Sequence, residues 1–155
     1  MDTSNESKQL TQFLRNRFGD MKNFSPDDYL HAFGKERDAL LYWSLFFPEL
    51  VEVENSIFLK RMVTNEDELK EEIISSQRSI LDIETSYNFV EVGYLFGCGD
   101  SNISDAEELL LAKKIRLGWD AWLKVKYPNK VFCVEVLGPG QTGSTAGVQF
   151  YEQRN

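Results

Sequence analysis

The run Gly138-Pro139-Gly140-Gln141-Thr142-Gly143-Ser144-Thr145 comes within one residue of the phosphate-binding pattern G-x-x-x-x-G-K-[ST]. In that pattern backbone amides surround the phosphates and the lysine meets their charge. Here Ser144 stands in the lysine's place. A working loop of this kind also needs a helix behind it, with free amides facing the anion. The continuation Ala146-Gly147-Val148-Gln149-Phe150-Tyr151 has the composition of a strand instead. The residues after it are too few for the rest of a nucleotide-binding sheet, so nucleotide hydrolysis is not expected. Two readings of the loop stay open. It is a hairpin connection in which glycine supplies backbone freedom, or it touches a ligand or partner through its amides and hydroxyls. Gly138, Gly140, Thr142, Gly143, Ser144 and Thr145 are the candidate contact residues.

Other constellations are weaker. Asp100-Ser101-Asn102-Ile103-Ser104-Asp105 places oxygen-bearing side chains like the opening of a calcium loop. The sixth position is Asp105 where glycine is needed, and the twelfth is Leu111 where a bidentate glutamate is needed. Turn and helix cap account for the run. Cys98 between two glycines would suit a nucleophile, but its only candidate base is His31, the single histidine. Cys133, inside an apolar strand, is expected in the core. One histidine and two scattered cysteines do not assemble a zinc site, and neither a metal nor a cofactor is expected. Trp119 and Trp122 could stack bases or a sugar, yet their apolar neighbours Leu111, Ile115 and Leu123 favour core packing.

The charge balance is 17 basic against 25 acidic residues, net −8. Such a chain is repelled by nucleic-acid backbones and anionic membranes, so neither is expected as a partner. A protein partner, including a basic one, is compatible with it. The amino terminus has no signal-peptide pattern and two cysteines make no disulfide framework, so a cytoplasmic protein is expected.

At 155 residues the chain suits a single domain, 1–155, able to bury a core without disulfides. A first helix is expected over about 6–18, ended by Gly19. A second, capped by Ser25 with Pro26 in its first turn, carries Tyr29, Phe33, Leu40, Trp43 and Phe47 as a stripe up to Pro48, with Gly34 placed to weaken or bend it. Val51, Val53 and Ile57-Phe58-Leu59 around a turn at 54–56 make a hairpin. Thr64 to Asp67 opens a helix carrying Leu69, Ile73, Ile80, Leu81 and Ile83 inward. The stretch from Phe89 to Phe96 either continues that helix or is extended. Ser104 and Glu107 form a capping box for a helix reaching about Tyr127. Val131–Leu137 and Val148–Glu152 make a second hairpin around the glycine-rich loop.

These elements predict an α+β fold, with an antiparallel sheet built from two hairpins (about 49–61 and 131–152) packed against about four helices. The functional expectation is a non-enzymatic acidic binding module that docks a protein partner. Its profile is similar to that of small bacterial immunity or inhibitor proteins. The alternative is a small-ligand binder or small enzyme whose pocket uses the loop 138–145. A homo-oligomer is also compatible with the aromatic surplus.

Overall fold

The computed structural model describes residues 3–17, 25–96 and 103–154. The chain forms two compact units, Met1–Tyr42 and Trp43–Asn155.

In the first unit, α1 covers Thr3–Arg17; Phe18 and Gly19, expected to close it, lie outside the described residues. The expected long second helix is two helices, α2 (Pro26–Phe33) and α3 (Glu36–Phe46), the latter running on into the second unit. Ser25 and Asp28 form a reciprocal cap at the start of α2. Gly34 ends it with φ −66° and ψ 144°, its amide on the Leu30 carbonyl at 2.9 Å. A Cβ at Gly34 would strike that same carbonyl, so the turn requires glycine. The break resets the helical phase, and the expected apolar stripe is not buried: Phe33, Leu40 and Trp43 are exposed.

The second unit begins with the end of α3 and a hairpin. β1 (Leu50–Val53) pairs antiparallel with β2 (Ser56–Leu59), with Val53 opposite Ser56. Glu54 and Asn55 both have positive φ, 47° and 70°, the two-residue turn whose twist matches that of the flanking strands. A 3₁₀ turn at Lys60–Met62 leads to α4 (Glu66–Ser75), capped by Asn65.

The helix expected to run on through Ile83 stops here, and α5 (Ile80–Tyr87) starts anew from a Ser79–Asp82 capping box. Arg78 holds the corner, bonding Glu72 Oε1 (2.6 Å), the Asp82 carbonyl (2.8 Å) and Ser86 Oγ (2.5 Å). The ambiguous stretch that follows is extended: β3 (Phe89–Glu91), then a 3₁₀ turn at Gly93–Phe96. α6 (Asp105–Lys126) opens on the Ser104–Glu107 box. β4 (Phe132–Leu137) and β5 (Gly147–Glu152) follow, and their connection contains a single helical turn, α7 (Pro139–Thr142).

The fold is α+β. The two hairpins form separate antiparallel sheets, β1–β2 and a three-stranded sheet ordered β3-β5-β4. One face of the larger sheet packs on α6, where Ala112, Ile115, Trp119 and Leu123 meet Val134, Val148 and Phe150 in one buried cluster. Burying each of the larger side chains contributes about 1.5–3 kcal/mol. Val53, Phe58, Val63, Leu69 and Ile83 form a second cluster. β2 is buried along its whole length because alternate residues feed the two cores: Ile57 and Leu59 the first, Phe58 the second. The end of α3 approaches α6 closely at Gly118, where a Cβ would lie 2.7 Å from the Phe46 carbonyl oxygen.

Buried polar groups stitch the two sheets together. Asn88 Oδ1 accepts from the Leu59 amide and its Nδ2 donates to the Ile57 carbonyl, both at 2.8 Å. Ladder parity explains the fit. In β2 the peptide groups of Ser56 and Phe58 face β1, whereas those of Ile57 and Leu59 face away. Asn88 completes them as a neighbouring strand would. Glu84, 1% exposed, is held by Arg154, whose Nη2 lies 2.6 Å from Oε1 and Nη1 2.9 Å from Oε2. Arg154 also bonds Ser56 Oγ at 3.0 Å, and Lys130 ties Glu152 to the Asn55 carbonyl.

Candidate functional site

The open face of the three-stranded sheet, opposite α6, gathers the groups most capable of contact. Strand alternation sends Val90, Val148, Phe150 and Val134 into the core. Phe89 and Glu91 of β3, Gly147, Gln149 and Tyr151 of β5, and Cys133 and Glu135 of β4 are left on the other side. These side chains are half-buried, and Gly147 is fully covered.

Glu135 is the hub of this face. Its Oε2 accepts from Gln149 Nε2 at 2.9 Å, the cross-strand partner in the register. Its Oε1 accepts from Tyr151 Oη at 3.3 Å and from Cys133 Sγ at 3.5 Å. The Cys133 thiol beside it, then burial and the Glu135 carboxylate, push the Tyr151 phenol up to about 12. Cys133 is therefore not in the core, as its apolar strand suggested. The carboxylate two residues on shares its face, and that spacing was the sequence signal for it.

Beside this face lies an open groove of about 340 Å³ lined by residues including Met62, Phe89, Glu91, Tyr94 and Leu95, with Arg61 at its rim. Tyr94 is 72% exposed. Arg61 turns its guanidinium toward the Ser44 carbonyl, 3.3 Å away.

The glycine-rich loop folds onto the edge of the same face. A Cβ on Gly147 would collide with the Phe89 ring and come within 3.3 Å of Thr142 Cγ2, so loop, β5 and β3 meet over this glycine. Thr145 Oγ1 accepts from the Gly93 amide at 3.2 Å, and the Ala146 carbonyl from the Val92 amide at 2.8 Å. Inside the loop, the amides of Gln141 and Thr142 bond the Gly138 carbonyl and that of Gly143 bonds Pro139. The Ser144 amide bonds Thr142 Oγ1 and the Gly138 amide bonds Gln141 Oε1. These five amides are used within the loop and do not converge on a phosphate. Gly143 caps the turn at φ 80°, a conformation natural to glycine. Gly140, Gly143 and Ser144 are exposed, while Gly138, Thr142 and Thr145 are half-buried. None of the six candidate loop residues lines the groove.

The remaining sequence candidates do not join the site. Trp119 is buried beneath the opposite face, its Nε1 on the Leu45 carbonyl at 2.8 Å. Trp122 bonds the Pro48 carbonyl, meets Phe47 edge-on at 5.7 Å and carries Lys126 over its ring. His31 is exposed in the last turn of α2. Cys98 and residues 100–102 of the calcium-like run lie outside the described residues, and Ser104 serves as the α6 cap. Among the described residues no three His, Cys, Asp or Glu side chains are grouped to hold a metal ion. Nor is any described helix long and apolar enough to cross a membrane. Comparison of the chain with protein-family models, with curated proteins and with solved structures finds no match.

Proposed function

We propose that the chain is a non-enzymatic module that docks a protein partner, of the immunity or inhibitor type, on the open face of its three-stranded sheet. One observation carries the reading. That face is left uncovered by α6, yet it holds aromatic and carboxylate side chains beside an open groove bordered by exposed Tyr94. Exposed apolar surface rimmed by polar groups is the usual mark of an interaction site. The groove's openness and the absence of the loop from its lining favour docking over the alternative, a ligand pocket built on residues 138–145. In this reading Gly138, Gly140, Thr142, Gly143, Ser144 and Thr145 extend the contact surface past the edge of the face. The acidic balance favours a protein over nucleic acid or membrane as partner, in a cytoplasmic setting.

The test is site-specific photo-crosslinking in cells, with a photoreactive phenylalanine at Tyr94 or at Gln149 and a control at Val125, 72% exposed on α6. Docking predicts a discrete protein adduct from the two face positions and none from Val125. Adducts of equal yield from all three, or from none, would refute it. An adduct of twice the chain's own mass would identify the partner as a second copy.

A further inference from the structure

The helices of the first unit are short of a core. α2 has 8 residues and α3 has 11, lengths at which a helix in water is marginal without packing along one side. Yet no described side chain between Lys8 and Tyr42 is buried. Six apolar ones, Leu10, Leu30, Phe33, Leu40, Leu41 and Tyr42, are exposed. Leu40 and Leu41 are 76% and 65% open, and successive residues of a helix point about 100° apart. A helix that is apolar on adjoining sides belongs in an interior, covered from more than one direction.

The composition of the unit narrows what covers it. Units of about 40 residues hold together through disulfides, a metal or association. Met1–Tyr42 contains no cysteine and a single histidine, and no metal-binding group is formed among the described residues. Association is left. Charge then selects the partner. Met1–Tyr42 carries 6 basic and 7 acidic residues, whereas Trp43–Asn155 carries 11 and 18. Two copies of a chain of net charge −8 repel one another, and least through the unit whose charges nearly cancel. An anionic membrane is a poorer match. Asp27, Asp28, Glu36 and Asp38 occupy the first turns of α2 and α3, whereas the polar faces of membrane-surface helices are rich in lysine and arginine. The area fits a second copy as well. The six side chains present on the order of 700 Å² per copy, against about 800 Å² per partner in a standard specific interface.

We propose that the first unit is a dimerisation module, its apolar helices covered by the same helices of a second copy. In a two-fold interface one patch serves both sides, so nearly neutral surface with open leucines meets its own equivalent. None of these residues belongs to the open sheet face. The inference therefore goes beyond the docking reading and stands without it.

The test is analytical ultracentrifugation of the full chain over a wide concentration range. A reversible dimer of twice 17.9 kDa is expected. Leu40→Lys sets a charge in the middle of α3 in both copies and should weaken association about a hundredfold. Val125→Lys, equally open on α6, and Tyr94→Lys, beside the groove, should leave it unchanged. Added salt should strengthen the dimer or leave it unchanged, because it screens the acidic second units. On dilution the amides of residues 8–42 should lose hydrogen-exchange protection while those of the second unit's cores keep theirs. A chain that stays monomeric at millimolar concentration overturns the proposal, as does a dimer that persists in Leu40→Lys. Equal loss of the dimer in Val125→Lys or Tyr94→Lys overturns it, and so does dissociation by salt. Should Leu40→Lys not fold, the dilution experiment decides, and protection independent of concentration overturns the proposal.

Discussion

Replacing Arg154 with methionine removes the cation that compensates a carboxylate held almost entirely out of solvent. Glu84 is 1% exposed, and its two oxygens take Arg154 donors at 2.6 and 2.9 Å. Without the guanidinium, Oε1 loses its bond, and Oε2 keeps only the Glu152 amide at 3.1 Å. Ser56 Oγ, also buried, loses its donor at 3.0 Å. Breaking one partner out of a fully buried pair costs about 3–5 kcal/mol. Arg154 is itself 36% exposed, so water can enter the vacated space, and that screening lowers the expected loss to about 2–3 kcal/mol. The pair is best isolated with a double-mutant cycle of Arg154→Met, Glu84→Met and both together, read by urea unfolding at neutral pH. Because the double variant leaves no orphaned charge, it should be more stable than the sum of the single losses, with a coupling of about 2 kcal/mol. Additivity within about 0.5 kcal/mol would show that solvent already satisfies Glu84, and the reasoning from burial would fail.

Asn88→Ala should cost about 2–5 kcal/mol, because it orphans the Leu59 amide and the Ile57 carbonyl in a dry seam; an unchanged urea midpoint would contradict this. Gly147→Ala should destabilise by about 1–3 kcal/mol by forcing a methyl into the Phe89 ring, and Phe89→Leu should recover part of the loss when the two are combined. In alkaline titration by ultraviolet absorbance, Tyr151 should ionise last, near 12, with Tyr87 and Tyr127 also late because burial raises both. A tyrosine whose folded value exceeds its unfolded value of about 10 supports folding fully below that pH and progressively less as pH rises toward 12. Tyr151→Phe should therefore flatten the alkaline fall in stability, and an unchanged profile would count against the assignment. Ser104→Ala should cost about 1 kcal/mol through loss of the α6 cap, measurable as a drop in Tm.

Local chemistry was legible where its cause was local. The caps at Ser25 and Ser104, the turn at Glu54-Asn55 and the end of α6 near Tyr127, just before Pro128, all follow from residues within four positions of the feature. The Ser79–Asp82 box is equally local. It was hidden because Ile73, Ile80, Leu81 and Ile83 continue an apolar pattern across the corner, with no glycine or proline to mark the break. β3 was ambiguous because three residues are too few to display a period, and its identity is fixed by pairing with β5, nearly 60 positions away. The exposed faces of α2 and α3 were misread because a stripe continued through Gly34 presumes a single helical phase. Near the candidate site, the glycine-rich loop was visible from its composition, although none of its six candidate residues lines the groove. The open face beneath it was not, since Phe89, Glu135 and Tyr151 converge only after three strands from distant segments are aligned.

The Asn88 side chain has a consequence for the order in which the molecule is assembled. It sits at the C-terminal end of α5, its own amide on the Glu84 carbonyl at 2.8 Å. The outer edge of β2 is therefore completed by a residue 29 positions from the amide that it shelters. The hairpin can form its turn and its inner ladder alone, but the Leu59 amide stays open to solvent until α5 has wound and docked. In hydrogen exchange the inner ladder of β1–β2 should then report local opening, whereas Leu59 should exchange only with the separation of α5 from β2. One amide proton thus serves as a clock for the joining of the two cores.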